Sequence, residues 1–205
     1  MPEKSLWQLQ VERNPGHSQW YIDRFKNMAA QGADLVGEAR LAHAVLPPKA
    51  SILDAGCGPG RLGSYLSQQG HRVVGVDVDP LLIAEAQKVC PQAQWITADL
   101  AELPQALQQA EAPHSYDGIL CAGNVMTFLA PSTRQTVLSN FKQVLREQGR
   151  ALVGFGAGRG YSFDQFFTDV HQAGLSLEHT FSSWDLEAYQ PESSFLLAFL
   201  KAETS

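Results

Sequence analysis

ILDAGCGPGRLG, residues 52–63, joins a short apolar run to a turn with glycine at 56, 58 and 60 and then to the start of an amphipathic segment. A glycine-rich turn between a strand and a helix lets backbone approach a ligand where a Cβ would collide with it. The neighbouring residues exclude two common ligands of such turns. A dinucleotide fingerprint G-x-G-x-x-G begun at Gly56 needs its third glycine at 61, and position 61 is Arg. No GK[ST] follows, so the turn is not a P-loop. A ligand without phosphates fits it better.

From about Ser51 onward, short β-branched runs alternate with longer amphipathic stretches, the pattern of parallel strands joined by crossover helices. Strands are predicted at 51–56 (SILDAG), 71–77 (HRVVGVD), 93–99 (AQWITAD), 116–123 (YDGILCAG) and 150–156 (RALVGFG). Asp79 before Pro80 reads as a helix N-cap, and Gly70, Gly149 and Gly174 stand where helices close. Ser132 to Gln135 and Ser162 to Gln165 have capping-box spacing. Beyond Gly174, LSLEHTFSSW (175–184) and SSFLLAFLKA (193–202) are strand-like with no helix between them, so they must run antiparallel. The expected fold is α/β: a doubly wound, Rossmann-like, seven-stranded sheet, parallel except for a C-terminal antiparallel hairpin. Residues 18–46 carry apolar positions at helical spacing (Tyr21, Ile22, Phe25, Met28, then Leu35, Val36, Ala39, Ala42) and predict one or two helices against the core. With no repeat or linker, one domain is expected over 1–205, with 18–46 as a helical lid or extension and 50–202 as the core.

The chain has 205 residues, 44% hydrophobic and 18% charged, enough for a full core and against disorder. A formal charge of −6 with scattered Lys and Arg gives no electrostatic pull toward nucleic acid or an anionic membrane. Three cysteines, Cys57, Cys90 and Cys121, make no CxxC pair, which argues against a disulfide framework or zinc cluster. The six histidines show no metal-ligand spacing, so no metal site is expected. Without an apolar N-terminal segment or a run of membrane length, a cytoplasmic location is expected.

ILDAGCGPGRLG resembles the first motif of class I S-adenosylmethionine-dependent methyltransferases. VVGVDVDP resembles that family's second element, whose acidic strand end takes the ribose hydroxyls, and ITADL its third, where an Asp lies near the adenine amine. The spacing agrees: Asp54 to Asp77 is 23 positions, Asp77 to Asp99 is 22, and Asp99 to Gly123 is 24. Strand ends at one repeat length share the carboxyl edge of the sheet, where open α/β sheets bind ligands. The likeness covers about residues 50–156, and the terminal hairpin agrees in order.

The resemblance implies S-adenosylmethionine as cofactor, with S-adenosylhomocysteine as product, and a set of residues around it. Gly56, Cys57, Gly58 and Gly60 would face the methionine part, with Asp54 accepting amides of its own loop. Asp77 and Val78 would take the ribose, Asp99 and Leu100 the adenine, and Ala122, Gly123 and Asn124 would face the methyl end. Asp99 also suits a helix cap, and Asn124 a plain turn. Tyr21 and Arg24 suit the free carboxylate of the methionine end; their alternative is a core ring and a solvated cation. The Asn-Pro-Pro-Tyr type sequence of amino-group methylases is absent after the fourth strand, which reads GNVM. Phe163, Phe166, Phe167 and Val170 recur at helical spacing and read as a buried stripe.

The expected activity is methyl transfer to a small-molecule acceptor, by a monomer or a homodimer, with no nucleic acid or membrane partner. The carbon on a sulfonium is already activated, so the protein's work is alignment and exclusion of water. No side chain stands out as a general base, and none is named as catalytic. The acceptor pocket is expected between the 18–30 helix, the turn at Gly123 to Thr127, the GAGRGYS loop (156–162) and the region of Trp184, with Arg159 and Tyr161 touching the acceptor. Two alternatives are a catalytically silent S-adenosylmethionine-binding module serving a partner protein, and an NAD(P)-dependent oxidoreductase, which Arg61 and the hairpin oppose.

Overall fold

A computed structural model describes residues 2–203. Seven strands form one sheet: β1 (Ser51–Ala55), β2 (Arg72–Asp77), β3 (Gln94–Thr97), β4 (Tyr116–Cys121), β5 (Leu145–Gly156), β6 (Leu175–Phe181) and β7 (Phe195–Ala202). Their order is β3-β2-β1-β4-β5-β7-β6, with β7 antiparallel to both neighbours and every other pairing parallel. The chain leaves β1 toward β2 and later returns to pair β4 on the other side of β1. That reversal opens a crevice at the carboxyl ends of β1 and β4.

Helices cover both faces, as a sheet with apolar residues on both sides requires. In β1, Leu53 faces a core closed by α6 (Leu103–Gln109), the short α7 (Val125–Phe128), α8 (Arg134–Val144) and α9 (Phe163–Gln172). Its neighbour Ile52 faces the opposite core, closed by α3 (Gly37–Val45) and α4 (Arg61–Gln68). The stripe on α9 is a buried one: Phe166 and Val170 are enclosed, with Phe163 and Phe167 packed against the same core. Burying one such side chain contributes roughly 1.5–3 kcal/mol. Asp79 caps α5 (Pro80–Val89), accepting the amides of Leu81 and Leu82. Gly70 and Gly174, at φ +87° and +71°, follow α4 and α9 as the sequence predicts.

Three local expectations are corrected. Gly149 closes no helix: α8 ends at Val144 and the strand starts directly at Leu145, five residues earlier than expected. The pairing with β4 slips between Tyr116 and Gly118, and a Cβ at Gly149 would lie 3.0 Å from the carbonyl oxygens of Arg146 and Tyr116. Glycine is needed there for a bulge. Ser132 caps nothing; it lies in a 3₁₀ turn and its hydroxyl donates to Glu3. Ser162 does cap α9 by accepting the Gln165 amide, but the Gln165 side chain turns to Asp169 and leaves the box half made.

The N-terminal region holds more helix than its apolar spacing predicts. Besides α2 (His17–Ala30) and α3, there is α1 (Leu6–Arg13), opened by a reciprocal capping box between Ser5 and Gln8. No residue of α1 is fully buried. Among the described residues, no helix is long and apolar enough to cross a membrane.

Candidate active site

The glycine loop crosses from β1 to the end of β2. Gly56 and Cys57 both donate their amides to the Val76 carbonyl, at 2.8 and 3.1 Å, and Gly58 donates to Asp77 Oδ2 at 2.9 Å. Gly56, Gly58 and Gly60 all lie in the left-handed region, at φ +76°, +53° and +81°. Their duties differ. A Cβ on Gly56 would lie 2.3 Å from a Val125 methyl carbon, and one on Gly60 would lie 2.7 Å from the Ala86 Cβ. Gly58 has only Tyr21 nearby, at 3.8 Å, and leaves its backbone open to a cavity. Gly60 thus lets α4 pack on α5, while Gly58 faces whatever binds.

That cavity sits at the crevice of the sheet, beneath α1 and α2. The loop residues Asp54, Gly56, Cys57 and Gly58 line one side. Asp77, Val78, Ala98 and Leu100 line the strand-end side, Ala122 and Gly123 another, and Tyr21 the roof. Of the residues singled out from the sequence, Gly60, Asp99, Asn124 and Arg24 do not line it. Asp99 accepts the Ala101 amide at 2.8 Å and so shapes the turn that carries Leu100. Asn124, at φ +66°, accepts the Gly156 amide at 2.8 Å and ties the ends of β4 and β5 together. Arg24 is exposed on the outer side of α2, against the ring of Trp20.

The cation at the cavity is Arg61, the residue that disqualifies the dinucleotide fingerprint. Glu38 holds its guanidinium with two bonds of 3.1 Å, and the Leu35 carbonyl accepts a third. These bonds use three of the five N–H groups of the guanidinium. Phe25 and Val125 line the cavity from the 18–30 helix and the 123–127 turn, the expected place of the acceptor pocket, whereas Ser5, Trp7 and Phe128, which also line it, were missed by sequence reasoning. Trp7 meets Tyr21 and Phe128 edge to face, with centroids 5.1 and 5.8 Å apart. The charged side chains lining the cavity are Asp54, Asp77 and Arg61. Burial pushes the carboxyl of Asp54 up to about 7, against the pull of the Gly63 amide. Burial likewise lifts Asp77 to about 6, opposed by the Asp79 and Gly58 amides. The Cys57 thiol is pushed well up by burial, which leaves it protonated and inert.

The expected acceptor contacts in the GAGRGYS loop and at Trp184 are corrected. Tyr161 is 2% exposed, stacked on Phe155, covered by the Arg134 guanidinium, and its hydroxyl donates to Asp169 at 2.6 Å. It anchors the loop and has no surface left for a ligand. Arg159 is exposed at the loop's tip, outside the cavity lining. Trp184 packs over Gly154 and Phe195 with the core beneath α3 and α4.

A profile of the family described as "Methyltransferase domain" matches residues 52–149. The chain is 46% identical to the TehB-like SAM-dependent methyltransferase of Corynebacterium glutamicum; the match covers 93% of this chain and 100% of that one, with a TM-score of 0.87. Among curated relatives it is 28% identical over 128 residues to the bovine 18S rRNA (guanine-N(7))-methyltransferase, covering 61% of this chain and 46% of that protein. It is 32% identical over 111 residues to the trans-aconitate 2-methyltransferase of an Azoarcus strain, covering 53% and 40%. The chain spans about half the length of the curated relatives it matches.

Proposed function

Because the chain belongs to the class I S-adenosylmethionine-dependent methyltransferases, we propose that it transfers the methyl group of S-adenosylmethionine to a small-molecule acceptor inside the cavity beneath α1 and α2. The observation that carries this reading is the meeting of the open Gly58 backbone with the Asp77 carboxylate in one cavity at the sheet's switch point. The lining suits the cofactor. Asp77 presents two oxygens to a pair of ribose hydroxyls; each already holds one backbone amide and keeps a further lone pair. Val78, Leu82, Ala98 and Leu100 form an apolar slot for a flat base, and Asp99 supports that slot by capping the turn beneath it. Arg61, which lines the cavity together with Tyr21, takes the role the sequence suggested for Arg24, partner to the methionine carboxylate.

The cofactor supplies an electrophilic methyl group on a leaving group that departs neutral. The chain's own task is to hold the acceptor in line and keep water out, an effect that reaches roughly 7–11 kcal/mol when alignment is good. Trp7, Tyr21, Phe25, Val125 and Phe128 make an aromatic and apolar chamber beyond Gly58. Among the described residues, no histidine, lysine or glutamate lines it. An acceptor that reacts here brings its own free electron pair, because the carboxylates present are engaged with backbone and ribose. Incubating the protein with methyl-labelled S-adenosylmethionine and a fractionated small-molecule extract tests the reading. Label is expected in a low-mass species, and label confined to macromolecules, or none at all, contradicts it.

A further inference from the structure

We propose that Trp7 is a positioning residue that latches a strap, residues 3–13, across the cofactor cavity, and that this latch must open for cofactor exchange. The inference rests on reading the cavity as the cofactor site. The strap is pinned at two points. At one end Ser132, beyond β4, donates its hydroxyl to the Glu3 carboxylate. Beyond β2, the Trp7 indole Nε1 donates to Asp79 Oδ2 at 2.9 Å. Ser5, between the pins, and the pinned Trp7 line the cavity together with the glycine loop.

Asp79 is the hub of the latch. It is 5% exposed, and its Oδ2 also accepts the Ser18 hydroxyl of α2, while its Oδ1 caps α5 at Leu81 and Leu82. Its own amide donates to Asp77 Oδ1 at 2.9 Å. One residue therefore joins α1 and α2, through its carboxylate, to the strand end proposed to hold the ribose, through its amide. The strap itself is weakly held: α1 buries none of its eight residues fully, and Leu6 is 42% exposed. An element with so little buried apolar contact opens at low free energy. Besides the Glu3 pin, the ring of Trp7, packed on Tyr21, His17 and Phe128, and its one bond to Asp79 hold it down. With Ser5, Trp7, Tyr21 and Phe25 roofing the cavity, ligand exchange requires that roof to lift.

Trp7→Phe keeps an aromatic ring and deletes the donor. Surface plasmon resonance with S-adenosylhomocysteine on the full chain reads the consequence. For a gate, association and dissociation rates rise together, each by about tenfold, the scale of one lost bond to a charged group, while Kd stays within about threefold. A rise in the dissociation rate alone makes Trp7 an ordinary ligand contact and overturns the proposal, as do two unchanged rates. Hydrogen exchange on the unliganded protein reads the latch without the ligand. Amides of residues 6–13 are expected to exchange about tenfold faster in Trp7→Phe, with β1 and β4 unchanged. Equal exchange in the two proteins overturns the proposal. Expected exchange together with no binding of S-adenosylhomocysteine to the natural protein contradicts the cofactor reading, and the gating role falls with it.

Discussion

Gly58 donates its amide to Asp77 Oδ2 at 2.9 Å, so the loop after the first strand is fastened to the end of the second before any ligand arrives. The left-handed turn at Gly58 directs that amide, and the absence of a Cβ leaves room beside it. A carboxylate oxygen that has accepted one hydrogen bond still has a lone pair for another. The site is therefore preorganised, with Asp77 oriented and its capacity retained.

The protonation of Asp77 sets the first expectation. Burial raises its carboxyl to about 6 in the free protein, and only the charged form accepts hydroxyl protons on both oxygens. Affinity for S-adenosylhomocysteine should rise with pH through about 6 and level off above it, being about tenfold weaker at pH 5 than at pH 7. Asp77→Asn should bind weakly with no such dependence. Isothermal titration across this range checks both, and a flat profile for the natural protein contradicts the assignment.

Asp54 sets a stability expectation of the opposite kind. Its carboxylate accepts the Gly63 amide at 2.9 Å and is otherwise enclosed, so its pKa rises to about 7 on folding. The folded chain then holds a proton that the unfolded chain has lost above about pH 4. This contribution is full below that point and is lost as pH rises through about 7. Asp54→Asn keeps an oxygen for Gly63 and removes the buried charge. The unliganded variant should be more stable than the natural protein by about 1–2 kcal/mol at pH 8, with the gap closing below about pH 5. Denaturant unfolding at both pH values measures it, and an equal gap at each contradicts the account.

The features legible in the sequence are those whose cause is local. The glycines at 56, 58 and 60, the cap at Asp79 and the hairpin after Gly174 follow from backbone geometry that few other residues meet. The regular spacing of Asp54, Asp77, Asp99 and Gly123 places the cavity edge, with Asp99 itself just outside it beside Leu100, because the crossover units are of nearly one length. What was not legible depends on partners distant in sequence. Arg61 rather than Arg24 reaches the cavity because Glu38 and Leu35 on a separate segment hold it there. Helix α1 carries no buried stripe to announce it, and its Trp7 finds Asp79 at a separation of 72 residues. Tyr161, in a loop rich in glycine, looked free until Arg134 and Asp169 enclosed it.

Gly56 is expected to be intolerant for two separable reasons. A Cβ there meets Val125 at 2.3 Å, and its φ of +76° strains any other L-residue. Gly56→Ala should cost about 1–3 kcal/mol for the overlap and a further 1–2 for the strain. Adding Val125→Ala should restore only the first part. Unfolding measurements on the two single variants and the double variant give the coupling energy, and an additive pair contradicts the contact.

The paired imidazoles beneath the sheet give a further pH limb. His71 Nδ1 accepts the Ala50 amide at 3.1 Å, so its proton lies on Nε2, facing Nδ1 of His43 at 2.9 Å. Burial, and then His43, lower the pKa of His71 below its ordinary 6.5. Its stabilisation is present above about pH 6.5 and is lost as pH falls through the lowered folded value. Asn at this position keeps an acceptor for Ala50 and cannot titrate. The natural protein's advantage over His71→Asn should shrink between pH 7 and pH 5. An advantage that grows on acidification contradicts the tautomer.

The central claim is that this cavity holds S-adenosylmethionine through Asp77, and one calorimetric comparison tests it most directly. S-adenosylhomocysteine and NADH are titrated into the natural protein and into Asp77→Ala at pH 7.5. The account predicts one-to-one binding of S-adenosylhomocysteine to the natural protein, no binding of NADH, and a loss of at least about tenfold in the folded variant, since bonds to a charged group contribute roughly 1.5–3 kcal/mol each. NADH binding in place of S-adenosylhomocysteine, or an Asp77→Ala protein that binds as tightly as the natural one, would contradict it.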